Sequence, residues 1–448
     1  MMLGGYFRDK VLAPSGSELN TAGRSGSVPA RGPVDHPGAP RLMECHECGL
    51  GHAVPVLPDG TAARCVRCGA TLHKFRSTSL DHAFAYACAG LVLMLMANFL
   101  PFISLEISGR TQTASLVTGI FALYQQGLWE LAAVVALTMF VAPALRLGTL
   151  FLVLGGLRLR RPPRWLPLLY RWADLLGPWA MIEVYMLGVF VAYVKLIDLA
   201  TIVVGPGLYS VGGLMLAIIA AGTSLDTETV WRQFERRGLV PIPAPVDPRR
   251  PTCLCHGCGL VSNLPPGGHG ECPRCGAALH RRRPESLTRT WALVVTAIIL
   301  YIPANLLPVM TVISLGSGAP DTIMSGVIEL ADSGMWPLAA LVFFASITVP
   351  VLKLAGLIYL LVTTRRGKTG QLRNRTVIYR IVEAVGRWSM IDIFMISILV
   401  ALVQLGELAT IEPGAGAVCF AAVVIITMIA AMGFDPRLMW DAAGENHG

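Results

Sequence analysis

The chain has 448 residues, of which 54% are hydrophobic and only 14% are charged, against about 25% charged residues in an ordinary soluble domain. This composition excludes a wholly soluble protein, because long stretches with almost no charge cannot form surfaces in water. The formal net charge of +8 comes from short basic clusters beside apolar runs. Such clusters indicate membrane topology and argue against a nucleic-acid partner.

Residues 1–40 are rich in Gly, Ser and Pro and lack the apolar run of a secretory signal, so we expect a disordered tail there. Two cysteine modules follow at different points of the chain, each with two Cys-x-x-Cys pairs. The first module contains Cys45, Cys48, Cys65 and Cys68, and the second contains Cys255, Cys258, Cys272 and Cys275.

A Cys-x-x-Cys pair brings two thiolates to one metal, and the Gly after each pair permits the turn that this geometry needs. Two such knuckles close a tetrahedral four-cysteine site, which zinc fits better than iron. Each module is too small to bury much of a core, so metal binding would supply most of its folding free energy. Disulfides are one alternative, but they are disfavoured on the cytoplasmic side of a membrane. A redox Cys-x-x-Cys is another, but it does not explain two pairs in each module.

Four apolar stretches follow each module, and each is long enough to cross about 30 Å of hydrocarbon as a helix. They lie at about 83–105, 128–157, 172–196, 207–225, 290–313, 336–363, 380–404 and 414–434.

The chain is a tandem repeat. Trp129 matches Trp336 at an offset of 207, and after small insertions Trp179 matches Trp388 at an offset of 209. Because each copy has an even number of spans, both copies enter the membrane in the same direction. The sequence therefore predicts an all-α polytopic membrane protein with two tandem parallel repeats of four transmembrane helices, each preceded by a small four-cysteine zinc ribbon.

The predicted units follow one another in chain order. They are the disordered tail (1–40), zinc ribbon 1 (41–76), transmembrane repeat 1 (77–232), a linker (233–250), zinc ribbon 2 (251–283), transmembrane repeat 2 (284–441) and a second tail (442–448).

Lys and Arg are concentrated in the connection between the second and third spans of each copy, as in Arg158–Arg171 and Arg365–Arg380. Those connections should be cytoplasmic, which also places both termini and both ribbons in the cytoplasm. The opposite connections, near 104–127 and 312–334, contain β-branched and polar residues, which predict short external β-strands.

Ionisable residues occur inside the spans. Lys353 precedes Arg365 by 12 residues and Asp392 follows Arg380 by 12, so both lie about 18 Å from the inner boundary. Charges at matched depth can pair, which reduces the several-kcal/mol cost of placing either in lipid. Arg146 and Glu183 occupy the equivalent positions in the first copy.

Two interpretations remain open for these residues: a proton relay at the floor of a polar cavity, or a buried ion pair that fixes helix register. The second copy is the more polar, because Ser346 and Ser389 replace Met139 and Ala180 of the first. Pro350 also frees the carbonyl of Ser346 from its helical hydrogen bond. We therefore expect Ser346, Lys353, Ser389 and Asp392 to form a hydrated pocket.

Asn98 and Asn305 lie three residues before a proline near the outer end of the first span of each copy. They could line a substrate cleft, or they could cap the end of a broken helix.

Three runs of the second copy, YIPANLLPVMTV (301–312), GMWPLAALVFFASITVPVLKLAGL (334–357) and YRIVEAVGRWSMIDIFMISILVALVQLGELATI (379–411), together with the duplicated cysteine modules, resemble the paraquat-inducible protein A family. The resemblance extends over nearly everything after residue 41. It implies a bacterial inner-membrane protein that works with a partner of the mammalian cell entry (MCE) type, a periplasmic tunnel protein, to move lipids between the inner and outer membranes.

We therefore expect an outward-facing pocket in the second copy that passes phospholipids to or from an MCE partner, with proton coupling through Lys353 and Asp392. The alternatives are a passive membrane anchor for the tunnel and a redox or metal-stress protein. The chain has no P-loop for ATP and no hydrolase-like arrangement of nucleophile and base, so the sequence does not indicate an enzyme.

Overall fold

The computed structural model describes residues 41–55, 58, 60–74, 80–107, 110–196, 201–247, 250–264, 268–314, 317–402 and 409–444. The tail expected at residues 1–40 and the last four residues lie outside these ranges.

Within the described residues, eight helical segments are long and apolar enough to cross a membrane, as the sequence predicts. Repeat 1 contains α1 (Leu80–Phe99), α2 (Leu116–Gln125), α3 (Trp129–Ala136), α4 (Ala142–Arg158), α5 (Leu166–Leu176), α6 (Ile182–Leu196), α7 (Pro206–Ser224) and α8 (Thr227–Arg236). Repeat 2 contains α9 (Ser286–Leu306), α10 (Ile323–Asp332), α11 (Trp336–Phe343), α12 (Val349–Arg365), α13 (Leu372–Gly386), α14 (Ile391–Leu402), α15 (Ala415–Gly433) and α16 (Arg437–Ala442).

Short antiparallel strands occur at both ends of the bundle. Ribbon 1 contains β1 (Arg41–Glu44), β2 (Gly51–Val54), β3 (Ala62–Arg64) and β4 (Thr71–Lys74); repeat 1 adds β5 (Ile103–Ile107), β6 (Arg110–Ala114) and β7 (Thr201–Val204). Ribbon 2 contains β8 (Thr252–Leu254), β9 (Val261–Asn263), β10 (His269–Glu271) and β11 (Ala278–His280); repeat 2 adds β12 (Met310–Ser314), β13 (Ser317–Asp321) and β14 (Ala409–Pro413).

Each repeat carries a three-stranded antiparallel sheet, in the order β6-β5-β7 in repeat 1 and β13-β12-β14 in repeat 2. The strands follow the first span directly, which is why the first spans end at Phe99 and Leu306 and not at residues 105 and 313. This finding confirms the short strands expected in these connections. We name this end of the bundle the sheet end and the opposite end the ribbon end.

The second and third spans of each repeat are interrupted helices. A π-helical turn, Leu137–Val141 or Phe344–Thr348, joins the two parts of the second span. Each π turn is followed at its second residue by a proline, Pro143 or Pro350, which lacks the N–H that an α-helix would need there. The third spans are broken by the 3-10 turns Gly177–Trp179 and Trp388–Met390.

Helix α14 lies at the centre of the molecule, and all twelve of its residues are buried. It packs against α6, its counterpart in repeat 1, and against α2. Glycines permit both close approaches, because a Cβ added at Gly188 would lie 3.1 Å from the Cβ of Phe394, and one added at Gly119 would lie 2.8 Å from Oγ of Ser397. Repeat 1 therefore encloses the third span of repeat 2.

The ribbons pack in a crossed arrangement. The cysteines of ribbon 1 share a buried cluster with Leu357, Tyr379 and Trp440 of repeat 2. The cysteines of ribbon 2 share another with Tyr170 and Trp231 of repeat 1. Each ribbon therefore rests on the repeat that it does not directly precede.

The same contacts recur on both sides of this crossing. Arg380 donates to the Cys68 carbonyl at 3.1 Å, and its repeat counterpart Arg171 donates to the Cys275 carbonyl at 3.0 Å. The guanidinium of Arg67 lies over the ring of Trp440, and that of Arg274 lies over the ring of Trp231. The contact of ribbon 1 with repeat 2 and the contact of ribbon 2 with repeat 1 are thus made by equivalent residues of the two copies.

Ion pairs complete each contact. In ribbon 1, Glu47 accepts from Nε of Arg380 at 2.8 Å. In ribbon 2, Arg274 is 2% exposed at its side chain and pairs with Glu228 at 2.8 Å and with Glu235 at 2.7 Å. Burial alone would raise the pKa of Glu228, but the hydrogen bond and the charge of Arg274 outweigh burial and lower it.

Replacing Arg274 by Ala should weaken the attachment of ribbon 2 to repeat 1 by about 2–3 kcal/mol, because Glu228 and Glu235 would stay partly buried without a counter-ion. Hydrogen exchange of β8–β11, followed by mass spectrometry of the intact chain in nanodiscs, measures this loss. Arg289→Ala is the control, since Arg289 pairs with Glu285 in solvent and such pairs contribute only about 0–1 kcal/mol. Equal exchange in the two variants would contradict the prediction.

Candidate functional sites

The four cysteines of ribbon 1 converge on one point. Sγ of Cys45 lies 3.5 Å from that of Cys68, and Sγ of Cys48 lies 3.5 Å from that of Cys65. All four sulfurs lie within 4.8 Å of one another. Tetrahedral coordination with bonds of about 2.3 Å requires sulfur separations of about 3.8 Å. The donor set therefore fits a tetrahedral metal ion.

Ribbon 2 repeats this geometry. Sγ of Cys255 lies 3.5 Å from that of Cys275, and Sγ of Cys258 lies 3.6 Å from that of Cys272. The glycines that follow the knuckles have positive φ angles, as at Gly259 (+71°). The structure thus brings together all eight cysteines that the sequence selects, in two clusters that could each bind a metal ion.

One thiol of ribbon 1 has a lowered pKa, and the pKa values of Cys48 and Cys68 are raised by their hydrogen bonds with Cys45. Hydrogen bonds from Cys48 and Cys68 lower the pKa of the Cys45 thiol to about 4. His52, which the sequence analysis did not single out, places Nε2 3.2 Å from Sγ of Cys65. Four sulfur ligands leave no open coordination position, so the expected contribution of the metal is to folding.

A second candidate site lies within the spans of repeat 2. It contains Ser346 in the π turn, Lys353 on α12, Ser389 in the 3-10 turn and Asp392 at the start of α14. Their exposed fractions are 1%, 2%, 2% and 7%, respectively. The two helix breaks contact each other, which brings together the segments that carry Ser346 and Ser389. Asp392 lines one cavity with Ser346, and Lys353 lies further along α12.

Each of these residues has a polar atom without a partner. Nζ of Lys353 and Oγ of Ser389 are buried and have no hydrogen-bond partner among the described residues. Oγ of Ser346 and Oδ2 of Asp392 are also buried without a partner of good geometry, although the Ser346 hydroxyl interacts with the Asp392 carboxyl group. Lys353 and Asp392 form no direct ion pair in this part of the chain. Nζ of Lys353 instead lies against Gly386, where an added Cβ would be 3.1 Å away. The expected direct pairing is therefore not present in this state.

A cavity of about 50 Å³ lies beside Ser346 and Asp392. Its other walls include Met310 and Thr322 from the sheet end, Leu338 on α11 and Val191 on α6 of repeat 1. This space can hold water but not a phospholipid. The described state is thus closed. Ser346 and Asp392 line this space, whereas Lys353 and Ser389 lie outside its wall.

The equivalent residues of repeat 1 are arranged differently. Glu183 is exposed, and no ion pair joins it to Arg146 among the described residues. Arg146 lines a separate cavity between the repeats. Met139 occupies the place of Ser346 and is buried. The polar cluster is therefore confined to repeat 2.

The two asparagines bond to their own helices. Nδ2 of Asn98 donates to the Met94 carbonyl at 2.7 Å, and Nδ2 of Asn305 donates to the Tyr301 carbonyl at 2.8 Å. Neither lines the cavity beside Asp392. These contacts favour the interpretation that both residues satisfy helix ends over the interpretation that they line a cleft.

The contacts that fix the ribbons have no clear signal in the sequence. Glu47 lies between two cysteine ligands and Arg274 lies between two others, so each could be taken for a solvated loop residue. The repeat contains an indirect signal, because Arg67 matches Arg274 at an offset of 207 and Trp231 matches Trp440 at 209. Each Arg–Trp contact joins residues of different copies, and the offsets cannot show that crossing.

Comparisons with known proteins agree with this architecture. A family model described as paraquat-inducible protein A matches residues 80–235 and 287–444, which are the two repeats. The intermembrane transport protein PqiA of Escherichia coli (strain K12) is 36% identical over 417 residues, covering 92% of this chain and 98% of that protein.

Two further relatives are more distant. The lipophilic envelope-spanning tunnel protein A of Escherichia coli (strain K12) is 32% identical over 407 residues, covering 89% of this chain and 91% of the relative. A probable intermembrane transport protein of Haemophilus influenzae is 29% identical over 409 residues, covering 89% and 96%. No solved structure matches the chain.

Replacing Cys258 by Ser should lower the metal content from two ions per chain to one and release ribbon 2 from repeat 1, because three sulfurs hold the ion weakly and the ribbon has little other core. Elemental analysis of the purified protein measures the loss. Cys253→Ser is the matched control, since Cys253 is buried in the same ribbon but lies outside the cluster. Two ions in both variants would refute this assignment of ligands.

Proposed function

The chain belongs to the paraquat-inducible protein A family, and on that premise we propose that it moves phospholipid between the inner and outer membranes of a bacterial cell. In this proposal the chain lies in the inner membrane and exchanges lipid with a periplasmic tunnel protein of the MCE type. The relatives support the transport role through their names, which include an intermembrane transport protein and an envelope-spanning tunnel protein.

The proposal rests on one observation about particular residues. Four buried polar atoms in repeat 2 have no hydrogen-bond partner among the described residues. An unpaired charge or hydroxyl in the middle of a membrane is costly, and such residues usually face a ligand or a water-filled path. Interrupted helices near the same level are a further feature of transporter sites, because irregular backbone is tolerated only where it lines a cavity.

In the proposed mechanism, the polar side chains of the pocket are enclosed in the closed state and contact lipid and water in the open state. In the closed state, Lys353 and Asp392 are enclosed and form no ion pair with each other, so each is stable there in its neutral form. When α10 and α11 move away from α14, the cavity opens toward the sheet end. The hydroxyl of Ser346 can then donate to the phosphate oxygens of a lipid, and Asp392 can exchange a proton with water. Lys353 and Ser389 lie outside the cavity wall in the closed state, so they reach the lipid only if their side chains turn toward the opened space.

The direction of this opening follows from the distribution of basic residues. Arg158, Arg160, Arg161 and Arg164 lie at the ribbon end of repeat 1, and positively charged connections stay in the cytoplasm. We therefore place both ribbons and both termini in the cytoplasm and the two sheets at the periplasmic surface. This orientation directs the cavity beside Asp392 toward an MCE partner.

We assign zinc to both ribbons, because four thiolates in a closed tetrahedral set are typical of structural zinc sites. Bound zinc would supply folding free energy. Glu47 and Arg274 would then hold the folded ribbons against the repeats, so that metal binding stabilises the contact between the two halves of the chain.

Asp392→Asn should lower phospholipid delivery by at least about tenfold, a loss equivalent to about 1.4 kcal/mol, because the amide cannot exchange a proton at this position. Lys353→Met should have a similar effect through loss of the ammonium. Delivery is measured as labelled phospholipid that reaches the MCE protein from proteoliposomes containing the chain.

Glu183→Gln is the matched control, because Glu183 is the repeat counterpart of Asp392 but is exposed. This variant should deliver lipid at the rate of the unmodified chain. Metal content and binding of the MCE protein must be unchanged in all variants, which excludes misfolding as the cause. Normal delivery by Asp392→Asn and Lys353→Met would instead favour a passive anchor for the tunnel.

A further inference from the structure

A larger cavity, of about 620 Å³, lies between the two repeats near the ribbon end. Helices α4, α5 and α7 of repeat 1 line it on one side, and α13 and α15 of repeat 2 line it on the other. Its volume falls within the range of roughly 300–1,000 Å³ that is usual for small-molecule sites. The proposed role of the Asp392 cavity does not involve this space.

The charged residues of this cavity are predominantly basic. They are Arg146, Arg380, Arg387 and Glu383, which give a surplus of two positive charges (three minus one). Arg380 is already paired with Glu47. Among the described residues, neither Arg146 nor Arg387 forms a direct hydrogen bond or ion pair. Arg387 is exposed and interacts with the charge of Glu383, one helical turn away, while Arg146 is half-buried. Two guanidinium groups from different repeats therefore face one cavity, and their N–H groups are available to donate hydrogen bonds to a ligand.

Local geometry keeps both groups at the cavity. Arg380, Glu383 and Ala384 lie on α13, and Arg387 is the helical residue that caps its C-terminus. The spacing i, i+3, i+4 and i+7 places all four on one face. The small side chain of Ala384 leaves room between the charges. Across the cavity, Nη2 of Arg146 lies against Gly222, where an added Cβ would be 3.0 Å away.

The remaining wall is mostly apolar and includes Leu150, Leu225, Met428 and Met432. A planar guanidinium can donate two parallel hydrogen bonds to a phosphate group, and the apolar wall suits the hydrocarbon that adjoins a lipid headgroup. A soluble phosphate ester shares the first property but not the second.

We propose that this cavity binds the phosphate group of an anionic phospholipid, with Arg146 and Arg387 as its ligands and the apolar wall against the start of the acyl chains. The site is distinct from the pocket beside Asp392. It requires only that the chain lies in a phospholipid bilayer, so it holds or fails independently of the proposed transport.

The test is native mass spectrometry of the purified full-length chain, titrated with phosphatidylglycerol, phosphatidylcholine or glycerol 3-phosphate. The unmodified chain should prefer phosphatidylglycerol. Arg146→Gln and Arg387→Gln should each weaken its binding by about tenfold or more, as expected for hydrogen bonds to a charged group. Arg160→Gln, which alters an exposed arginine outside the cavity, should bind like the unmodified chain.

Gly222→Ala provides a second variant that keeps both charges and favours the helix. Its Cβ would displace the guanidinium of Arg146, so it should weaken phosphatidylglycerol binding in the same direction. If Arg146→Gln, Arg387→Gln and Gly222→Ala all bind phosphatidylglycerol as the unmodified chain does, the proposal is overturned. Tighter binding of glycerol 3-phosphate, with the same dependence on both arginines, would support the phosphate site but assign it to a soluble ester.

Discussion

The structure depends on one constraint, which is that polar groups inside a bilayer need partners. Most of the chain meets it with helices whose backbone groups bond internally. Repeat 2 departs from it at Ser346, Lys353, Ser389 and Asp392, whose buried polar atoms have no partner among the described residues. The π turn and the 3-10 turn, which contact each other, carry Ser346 and Ser389. Buried polar groups of this kind usually face a ligand or a water-filled path, which is why the proposed pocket lies in repeat 2.

Repeat 1 has a different role in the same architecture. It encloses α14 through α2 and α6, with Gly119 and Gly188 permitting the close contacts. The crossed ribbons strengthen this arrangement, because ribbon 1 is held by Arg380 of repeat 2 and ribbon 2 is held by residues of repeat 1. Separating the repeats would therefore require both ribbons to detach.

Much of this could be predicted from the sequence, because the signals are local. Each of these signals involves only residues that are near one another in the sequence. They are the eight apolar runs, the Cys-x-x-Cys spacing and the proline after each π turn. The crossed ribbons could not be predicted, since the pairing of Glu47 with Arg380 joins residues more than 300 positions apart. Counting residues along the helices predicts that Lys353 and Asp392 lie at the same depth in the membrane. Depth does not determine how each helix is rotated about its axis, and the two side chains do not form an ion pair in the structure. Arg146 likewise faces a cavity and not Glu183.

The central claim is that the cavity bounded by α11, the π turn and α14 receives phospholipid. Site-specific photo-crosslinking in living cells tests it most directly, with a probe at Val342 in the cavity wall and a control probe at Ile429, which is exposed on α15. The account predicts phospholipid adducts at Val342 well above those at Ile429, because lipid must dwell in the pocket longer than at the bilayer surface. Adducts at Val342 no more abundant than at Ile429 would contradict it.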